Sequence, residues 1–303
     1  MRLLIAVPVY NERKYVGRVL DKIKSYHSDV LVVDDGSTDG TSDILAARAA
    51  AGDIHLIRHD PNKGYGQSLI DAFDFAAARG YDWVITMDCD EQHEPEKIPD
   101  FIREIRTDRW DLISGSRYLG PRDDDDLPPG DRRTINAQIT AVLNDLFGLG
   151  ITDAFCGYKA HRVSAMKRLM LDVPGYAFPM QLWPQAAHAG LRITELPVRL
   201  IYNDPTRHFG GTLDDADNRL RHYLSVLHEE MERLAAAVPA AVAAVAAARE
   251  SSNREGLARP ETERATGDRR GNGRAENGRP DKYRPDAGRP KVQPCSTRCM
   301  CAG

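Results

Sequence analysis

The chain contains 303 residues, enough for one large α/β domain or two small ones, and its net charge is −4. Residues 249–303 carry 13 basic and 8 acidic side chains, which leaves 28 basic and 37 acidic side chains in residues 1–248. The excess of acidic side chains in residues 1–248 argues against a protein that binds nucleic acid or another polyanion. No stretch has the roughly 20 apolar residues of a membrane-spanning helix, so the sequence predicts none.

The C-terminal part differs in composition from the rest of the chain. Residues 249–303 repeat Arg, Gly, Pro, Asn and Glu with few aliphatic side chains, so they cannot bury enough surface to offset the entropy of ordering. We therefore predict a folded domain at 1–234, an Ala-rich helical extension at 235–248 and a disordered tail at 249–303. Of the five cysteines only Cys89 and Cys156 fall in the domain, which favours a reducing cytoplasm.

Strands and helices alternate along the domain. The predicted strands are 3–8, 30–33, 54–57, one that begins at Trp83, 111–114 and 193–200. The predicted helices are 12–26, one through Ile44, 67–78, 95–105, 132–146 and an amphipathic segment at 220–234. Short polar turns join them, a pattern typical of an α/β fold with a doubly wound sheet. In such a sheet the carboxyl ends of the strands border a ligand cleft.

The strand that begins at Trp83 ends in the acidic stretch Asp88-Cys89-Asp90-Glu91-Gln92-His93. Side chains of an extended chain repeat every second residue, so Asp88 and Asp90 are expected to point the same way. Two such carboxylates offer the hard oxygen ligands that Mg²⁺ or Mn²⁺ prefers, and Gln92 can add a third ligand. Taken alone, however, this pattern fits a solvated acidic turn better.

Four motifs in succession resemble those of family-2 glycosyltransferases. They are Pro8-Val9-Tyr10-Asn11-Glu12, Val33-Asp34-Asp35-Gly36-Ser37-Thr38-Asp39, Asn62-Lys63-Gly64 and Met87-Asp88-Cys89-Asp90-Glu91-Gln92-His93. The resemblance implies a GT-A fold, a Rossmann-like doubly wound mixed sheet, and a nucleotide-sugar donor. Within the family, Thr152-Asp153 and Gly157-Tyr158-Lys159 resemble motifs of polyprenol-phosphate mannosyl- and glucosyltransferases, although those relatives have Gly-Phe-Arg where this chain has Gly-Tyr-Lys.

The resemblance also implies how the donor is bound. Pro8, Tyr10 and Glu12 would line the nucleoside pocket, Asp35 would accept a hydrogen bond from the base, and Lys63 would lie nearby. Two of these residues also have a plainer interpretation, since Glu12 can cap a helix and Asp35 can be an ordinary turn residue.

The diphosphate of the donor is assigned to the acidic stretch. Asp88, Asp90 and Gln92 would hold Mn²⁺ or Mg²⁺ on the diphosphate, with Asp88 also counted among the nucleotide-binding residues. Such a metal offsets the charge that develops on the departing nucleoside diphosphate. Attack from the opposite face would invert the anomeric centre.

On the acceptor side, the resemblance implies that Arg117 and Arg132 are catalytic residues that hold an acceptor phosphate. That acceptor is expected to be a polyprenyl phosphate, and Arg207 can add a third positive charge. Asp153, the third catalytic candidate, would orient the nucleophile. Surface ion pairs for the two arginines, and a turn or cap role for Asp153, are the alternatives. A lipid acceptor implies a cytoplasmic enzyme that is peripheral at the inner membrane face, docked through helix 220–234 unless that helix packs on the core.

Other functions remain open at this point. A soluble or polysaccharide hydroxyl acceptor would make Asp153 an essential base. A nucleotidyltransferase would need a Gly-rich, basic turn after the first strand, where this chain has Pro-Val-Tyr-Asn-Glu. A non-catalytic module that binds nucleotide-sugars would not need Asp88 and Asp90. The sequence does not separate UDP from GDP donors.

Overall fold

The computed structural model describes residues 1–120, 126, 128, 130–202 and 209–257, and of residues 238–257 the backbone alone. Within this part, one sheet of seven strands has the order β3-β2-β1-β4-β6-β5-β7. The strands are β1 Leu3–Val9, β2 Val30–Asp34, β3 His55–Arg58, β4 Trp83–Thr86, β5 Leu112–Ser116, β6 Lys159–Arg162 and β7 Ile193–Pro197. All neighbours pair in parallel except β6, which is antiparallel to β4 and β5. The predicted mixed α/β sheet is therefore confirmed.

Helices cover both faces of the sheet. They are α1 Val16–Lys24, α2 Thr41–Ala50, α3 Tyr65–Ala78, α4 Ile98–Ile105, α5 Gly130–Phe147, α6 Val163–Met166, α7 Pro179–His188 and α8 Ala216–Leu257. Because strand side chains alternate, Ile5 and Val7 of β1 pack in one buried cluster, with residues of α1, α2 and α4, and Leu4 packs in the other, with residues of α3 and α5 to α8. Burial on both faces explains the nearly continuous apolar sequence of this strand.

The helix α1 is shorter than the predicted helix at 12–26. Its buried residues Val16, Val19, Leu20 and Ile23 follow the helical spacing that the sequence indicated. Asn11, directly before the predicted helix, has a φ of +57°, a left-handed conformation that Asn tolerates better than most residues. Residues 10–15 form a loop at the carboxyl edge of the sheet, so the helix begins at Val16 and not at Glu12.

The antiparallel strand β6 determines what meets at that edge. Lys159, its first residue, pairs with Thr86, the last residue of β4, and with Ser114 of β5. Because an antiparallel strand begins where its parallel neighbours end, the loop 152–158 lies beside the carboxyl ends of β4 and β5. The hydroxyl of Thr86 donates to the carbonyl of Gly157 at 2.8 Å and fixes this position.

The C-terminal helix α8 continues to Leu257, past the predicted domain end at 234 and the predicted start of the tail at 249. One compact unit runs from Met1 to Arg249, and the predicted tail from residue 258 onward lies outside the described residues. Tyr223 and Leu227 of α8 are buried in the core, so the apolar side of segment 220–234 packs on the domain. In the described part of the chain, no helix is long and apolar enough to cross a membrane.

Candidate active site

A large cleft of about 1200 Å³ opens at the carboxyl edge of β1, β2 and β4. Six of the residues predicted to bind the donor or its metal line it: Pro8, Tyr10, Glu12, Asp35, Asp88 and Asp90. The structure thus brings together residues that are up to 82 positions apart, because parallel strands end at a common edge.

The loops after β1 and β2 are fastened to each other. The backbone N–H of Asn11 donates to Ser37 Oγ at 2.9 Å, and Asn11 Oδ1 accepts from the backbone N–H of Thr38 at 2.8 Å. Asp34 is fully buried and accepts from the backbone N–H of Ser37 at 3.0 Å. Of the two adjacent aspartates, Asp34 therefore stabilises the turn and Asp35 is the one on the cleft wall.

Asp35 is also the centre of a hydrogen-bond network. Its carboxylate accepts from the backbone N–H groups of Lys63 at 2.7 Å and Gly64 at 2.9 Å, which holds the loop before α3 against the cleft. The backbone N–H of Lys63 supplies this contact, whereas its side chain is exposed and is not among the lining residues of the cleft. Lys63 therefore lies next to Asp35 through its backbone, and its predicted role in nucleotide binding stays a prediction.

His59 connects Asp35 to α3 and was not predicted as a site residue. Its Nδ1 lies 2.6 Å from Asp35 Oδ1 and its Nε2 lies 2.7 Å from Asp71 Oδ2. The ring therefore bridges the carboxylates of Asp35 and Asp71 and connects the loop after β3 to α3. The available sequence signal was its position directly after β3, which pairs with the strand that ends next to Asp35.

The acidic stretch after β4 is a turn that His93 organises. The backbone N–H of Asp88 donates to Nδ1 of His93 at 2.9 Å. Burial lowers the pKa of His93 to about 4, so the ring is neutral near pH 7 and Nδ1 can accept. Between the two aspartates, Cys89 is buried and packs in the core. Asp90 Oδ1 accepts from the backbone N–H of Gln92 at 3.0 Å.

Asp88 and Asp90 suit a metal ion that is also coordinated by the phosphates of a bound substrate. In the described part of the chain, no three His, Cys, Asp or Glu side chains are grouped closely enough to hold a metal ion. Asp88 and Asp90 both line the large cleft, whereas Gln92 lines a second, smaller cavity. Mg²⁺ is usually bound by one or two carboxylates together with substrate phosphates, and two carboxylates on the wall of an open cleft suit that mode.

The small cavity, of about 210 Å³, adjoins the cleft and is lined by Arg117, which forms an ion pair with the buried Asp153. Arg117 donates to Asp153 through Nε at 2.7 Å and Nη2 at 2.9 Å, a bidentate contact. Asn136 Nδ2, at 2.8 Å, and the backbone N–H of Phe155, at 3.1 Å, donate to the same carboxylate. Burial by itself would raise the pKa of Asp153, but the Arg117 guanidinium overrides burial and holds that pKa well below its usual range.

Glu195 of β7 holds the turn that carries Asp153 in place. Glu195 was not identified as a site residue from the sequence. Its carboxylate accepts from the backbone N–H and the hydroxyl of Thr152 and from the backbone N–H of Asp153. The turn that carries Asp153 is therefore anchored to the strand beside β5, which ends next to Arg117. A carboxylate in the middle of a predicted strand was the only sequence signal.

Arg132 lines the small cavity from the first turn of α5. Its guanidinium lies 5.3 Å from the ring centre of Tyr202 and 4.8 Å from that of Phe209. The structure thus brings Arg132 and Arg117 to one cavity, as predicted. Arg207 lies outside the described residues. A third arginine at this cavity is Arg219 of α8, which sequence reasoning did not single out.

Comparisons with known proteins identify the family of the chain. The sequence model of the family described as "Glycosyl transferase family 2" matches residues 4–170. An undecaprenyl-phosphate mannosyltransferase of Micrococcus luteus is 33% identical over 224 residues, which are 71% of this chain and 91% of that protein. A polyprenol monophosphomannose synthase of Mycolicibacterium smegmatis is 33% identical over 207 residues, 65% of this chain and 76% of that protein.

Solved structures give the fold. The glucosyl-3-phosphoglycerate synthase of Mycobacterium tuberculosis, crystallised with Mn²⁺, uridine diphosphate and glucosyl-3-phosphoglycerate, has a TM-score of 0.55 at 21% identity. The match covers 76% of this chain and 79% of that one. The predicted GT-A fold is confirmed by this likeness, and the sequence relatives establish the class of enzyme: the chain is a glycosyltransferase and belongs to glycosyltransferase family 2.

Proposed function

We propose that this enzyme transfers a hexose from a UDP- or GDP-sugar to a polyprenyl phosphate, with inversion at the anomeric carbon. The observation that carries the proposal is that the small cavity with Arg117 and Arg132 adjoins the large cleft and shares Asp88 with it. A donor diphosphate and an acceptor phosphate would then meet in one continuous space. The names of the relatives from Micrococcus luteus and Mycolicibacterium smegmatis, which refer to lipid-phosphate acceptors, support the acceptor class.

The donor would occupy the large cleft. Tyr10 and Glu12 would border the nucleoside, and Asp35 would accept a hydrogen bond from the base. Asp35 can accept this additional hydrogen bond at Oδ2. Each carboxylate oxygen can accept about two hydrogen bonds, and of the bonds described above only the one from the Gly64 N–H goes to Oδ2.

A divalent metal, Mn²⁺ or Mg²⁺, would be held on the diphosphate by Asp88 and Asp90, with Gln92 as the third proposed ligand. When bound, it offsets the negative charge of the leaving diphosphate. The crystallisation of the Mycobacterium tuberculosis synthase with Mn²⁺ and uridine diphosphate supports this assignment.

The acceptor phosphate would be held by Arg117 and Arg132, since guanidinium groups match phosphate oxygens in a planar fork. The bonds to Asp153 use Nε and Nη2 of Arg117, so they fix the plane of the guanidinium while Nη1 takes no part in them. Arg207 remains a predicted third contact. The aromatic lining of the cavity, including Tyr118, would face the first part of the lipid chain.

The chemistry needs no strong base. A phosphate oxygen attacks the anomeric carbon, the bond from that carbon to the diphosphate oxygen breaks, and the nucleoside diphosphate leaves with the electron pair. A phosphate monoester loses its second proton with a pKa of about 6, so the nucleophile is already ionised near pH 7. Asp153, held by Arg117 and with a lowered pKa, is a poor proton acceptor, so we assign it to orienting Arg117. This bonding disfavours the hydroxyl-acceptor alternative.

A lipid acceptor requires the enzyme to visit a membrane surface, and we propose the cytoplasmic face. The buried side of helix 220–234 is engaged with the core, so this visit would use another surface.

The test offers radiolabelled UDP-glucose and GDP-mannose with Mn²⁺ to the enzyme, first with polyprenyl phosphate and then with soluble hydroxyl acceptors. We expect label in the lipid fraction, and its loss in Arg117→Ala and Arg132→Ala. Arg103→Ala, which removes an exposed arginine of α4 that is bonded to Asp100, serves as the matched control and should retain transfer. Transfer to hydroxyl acceptors alone, with both cavity variants active, would refute the proposal.

A further inference from the structure

Four residues line both the large cleft and the small cavity: Tyr65, Asp88, Tyr176 and Phe209. Three of them are aromatic and come from separate parts of the chain, at the start of α3, before α7 and before α8. The rings of Tyr65 and Tyr176 are stacked, with centres 5.9 Å apart and an interplanar angle of 17°. Phe209 meets Tyr176 edge-on at 5.4 Å and 87°. We call Tyr65, Tyr176 and Phe209 the aromatic wall.

Both ends of the aromatic wall are held by residues of the reaction site. At one end the Tyr65 hydroxyl donates to Asp88 Oδ1 at 3.0 Å. At the other end the Phe209 ring lies 4.8 Å from the guanidinium of Arg132 and 4.5 Å from that of Arg219. The wall therefore runs from the proposed diphosphate site to the proposed acceptor site.

The middle of the wall is anchored through its backbone. The backbone N–H of Gln67 donates to the carbonyl of Pro174 at 3.0 Å, which fastens the segment before Tyr176 to the start of α3. Tyr176 is nevertheless 40% exposed, so its ring has accessible surface between the two cavities.

A transferred hexose must lie at this junction, because its anomeric carbon is bonded to the diphosphate before the reaction and to the acceptor phosphate after it. A pyranose ring has apolar faces of C–H groups and a rim of hydroxyls. An aromatic side chain can cover such a face while polar groups bind the hydroxyls of the rim. Small-molecule sites are usually lined in this way, by aromatic and apolar side chains with a few polar groups.

We propose that the aromatic wall is the hexose subsite of the donor and that Tyr176 supplies the ring on which the sugar packs. Tyr65 holds this ring in place and ties it to Asp88, so that sugar and diphosphate are positioned together. This inference rests on the proposed function and adds the residues that recognise the sugar.

The experiment compares a nucleoside diphosphate with its sugar derivative, by calorimetry with Mn²⁺ present. The pairs are UDP with UDP-glucose and GDP with GDP-mannose. In Tyr176→Ala we expect the affinity for the nucleotide-sugar to fall about fivefold, which corresponds to about 1 kcal/mol for one lost ring contact, while the affinity for the diphosphate is unchanged. Tyr176→Phe, which keeps the ring, should bind both as the wild type does. Tyr10→Ala should weaken both ligands equally.

The outcomes separate the two proposals. If the wild type binds a nucleotide-sugar and Tyr176→Ala leaves the ratio of the two affinities unchanged, the hexose subsite is refuted and the proposed function stands. An equal loss for both ligands in Tyr176→Ala refutes it as well. If the wild type binds no nucleotide-sugar, the proposed function fails first and the subsite fails with it.

Discussion

Gly157 lies directly against Asp88. A methyl group added at Gly157 would be 2.7 Å from Asp88 Oδ2 and 2.6 Å from the hydroxyl oxygen of Tyr65, closer than real contacts of this kind. Glycine at this position therefore allows the loop before β6 to approach the acidic turn after β4. Through this close approach, the loop before β6, which carries Asp153 of the proposed acceptor site, contacts the acidic turn of the proposed donor site.

We predict that Gly157→Ala displaces Asp88 and lowers kcat/KM for the donor by about 10²-fold, the loss typical of a 1 Å misplacement of a reacting group. Steady-state kinetics at several Mn²⁺ concentrations will measure it. Gly17→Ala is the matched control, because a methyl group at that position of α1 meets, apart from its chain neighbours and the backbone of its own helix, no described atom within 4 Å. Equal activity of the two variants would show that the Asp88 position is not critical.

Removal of the second acid of the turn should abolish most of the proposed metal-assisted reaction. Asp90→Ala is expected to reduce turnover by about 10²–10³-fold, because the departing diphosphate loses electrostatic stabilisation. Glu91→Gln provides a neighbouring control, since Glu91 pairs with Arg18 and is not on the cleft wall. Turnover that survives both Asp90→Ala and EDTA would contradict the metal role.

Loss of the Asp35 carboxylate should affect both binding and stability. Asp35→Ala leaves the backbone N–H groups of Lys63 and Gly64 without their acceptor, and we expect a loss of about 2 kcal/mol in unfolding free energy. Nucleotide affinity should fall as well. Urea denaturation and calorimetry will measure the two effects, with Asp74→Ala, on the exposed side of α3, as the control. A variant with normal nucleotide affinity would remove Asp35 from the nucleoside site.

Glu195→Gln should act on the acceptor and not on the donor. A neutral amide offers one acceptor oxygen where the carboxylate offers two, so the Thr152–Asp153 turn loses part of its support and Arg117 its orientation. We expect the KM for the lipid phosphate to rise about tenfold, equivalent to one lost hydrogen bond to a charged group, with donor affinity unchanged. Glu229→Gln, exposed on α8, should have no effect. A matching loss of donor affinity would argue for general unfolding instead.

A buried histidine outside the site gives a pH prediction. Burial, with Lys159 nearby, lowers the pKa of His161 to about 3, and its Nδ1 has no hydrogen-bond partner among the described residues. An unfolded histidine has a pKa of about 6.5, so between these values the unfolded chain binds a proton that the folded chain does not. The stabilisation due to neutral His161 is complete above pH 6.5 and is lost as pH falls towards 3.

The measurement is the unfolding free energy from urea denaturation between pH 4.5 and pH 6.5. Compared with wild type, His161→Gln should lower the slope of that free energy against pH by about 1.4 kcal/mol per pH unit. His228→Gln, on an exposed histidine of α8, should leave the slope unchanged. An unaltered slope in His161→Gln would mean that His161 is protonated in the folded protein.

The sequence by itself determined the parallel half of the fold and the donor side of the site. Apolar runs of β1, β2 and β4 end in polar motifs, and parallel strands end at one edge, so Asp35, Asp88 and Asp90 were expected on a common cleft. This information is local, because each motif lies next to the strand that positions it.

The tertiary structure alone decided the contacts between elements that are distant in sequence. Antiparallel insertion of β6 between β4 and β5 brings Gly157 to Asp88, and the pairing of β7 with β5 brings Glu195 behind Asp153. Strand order depends on which apolar faces pack best over the whole domain, and no local pattern encodes it. The stacking of Tyr65 on Tyr176 likewise depends on the approach of the segment before α7 to the start of α3, since the two residues belong to different elements and only packing makes them neighbours.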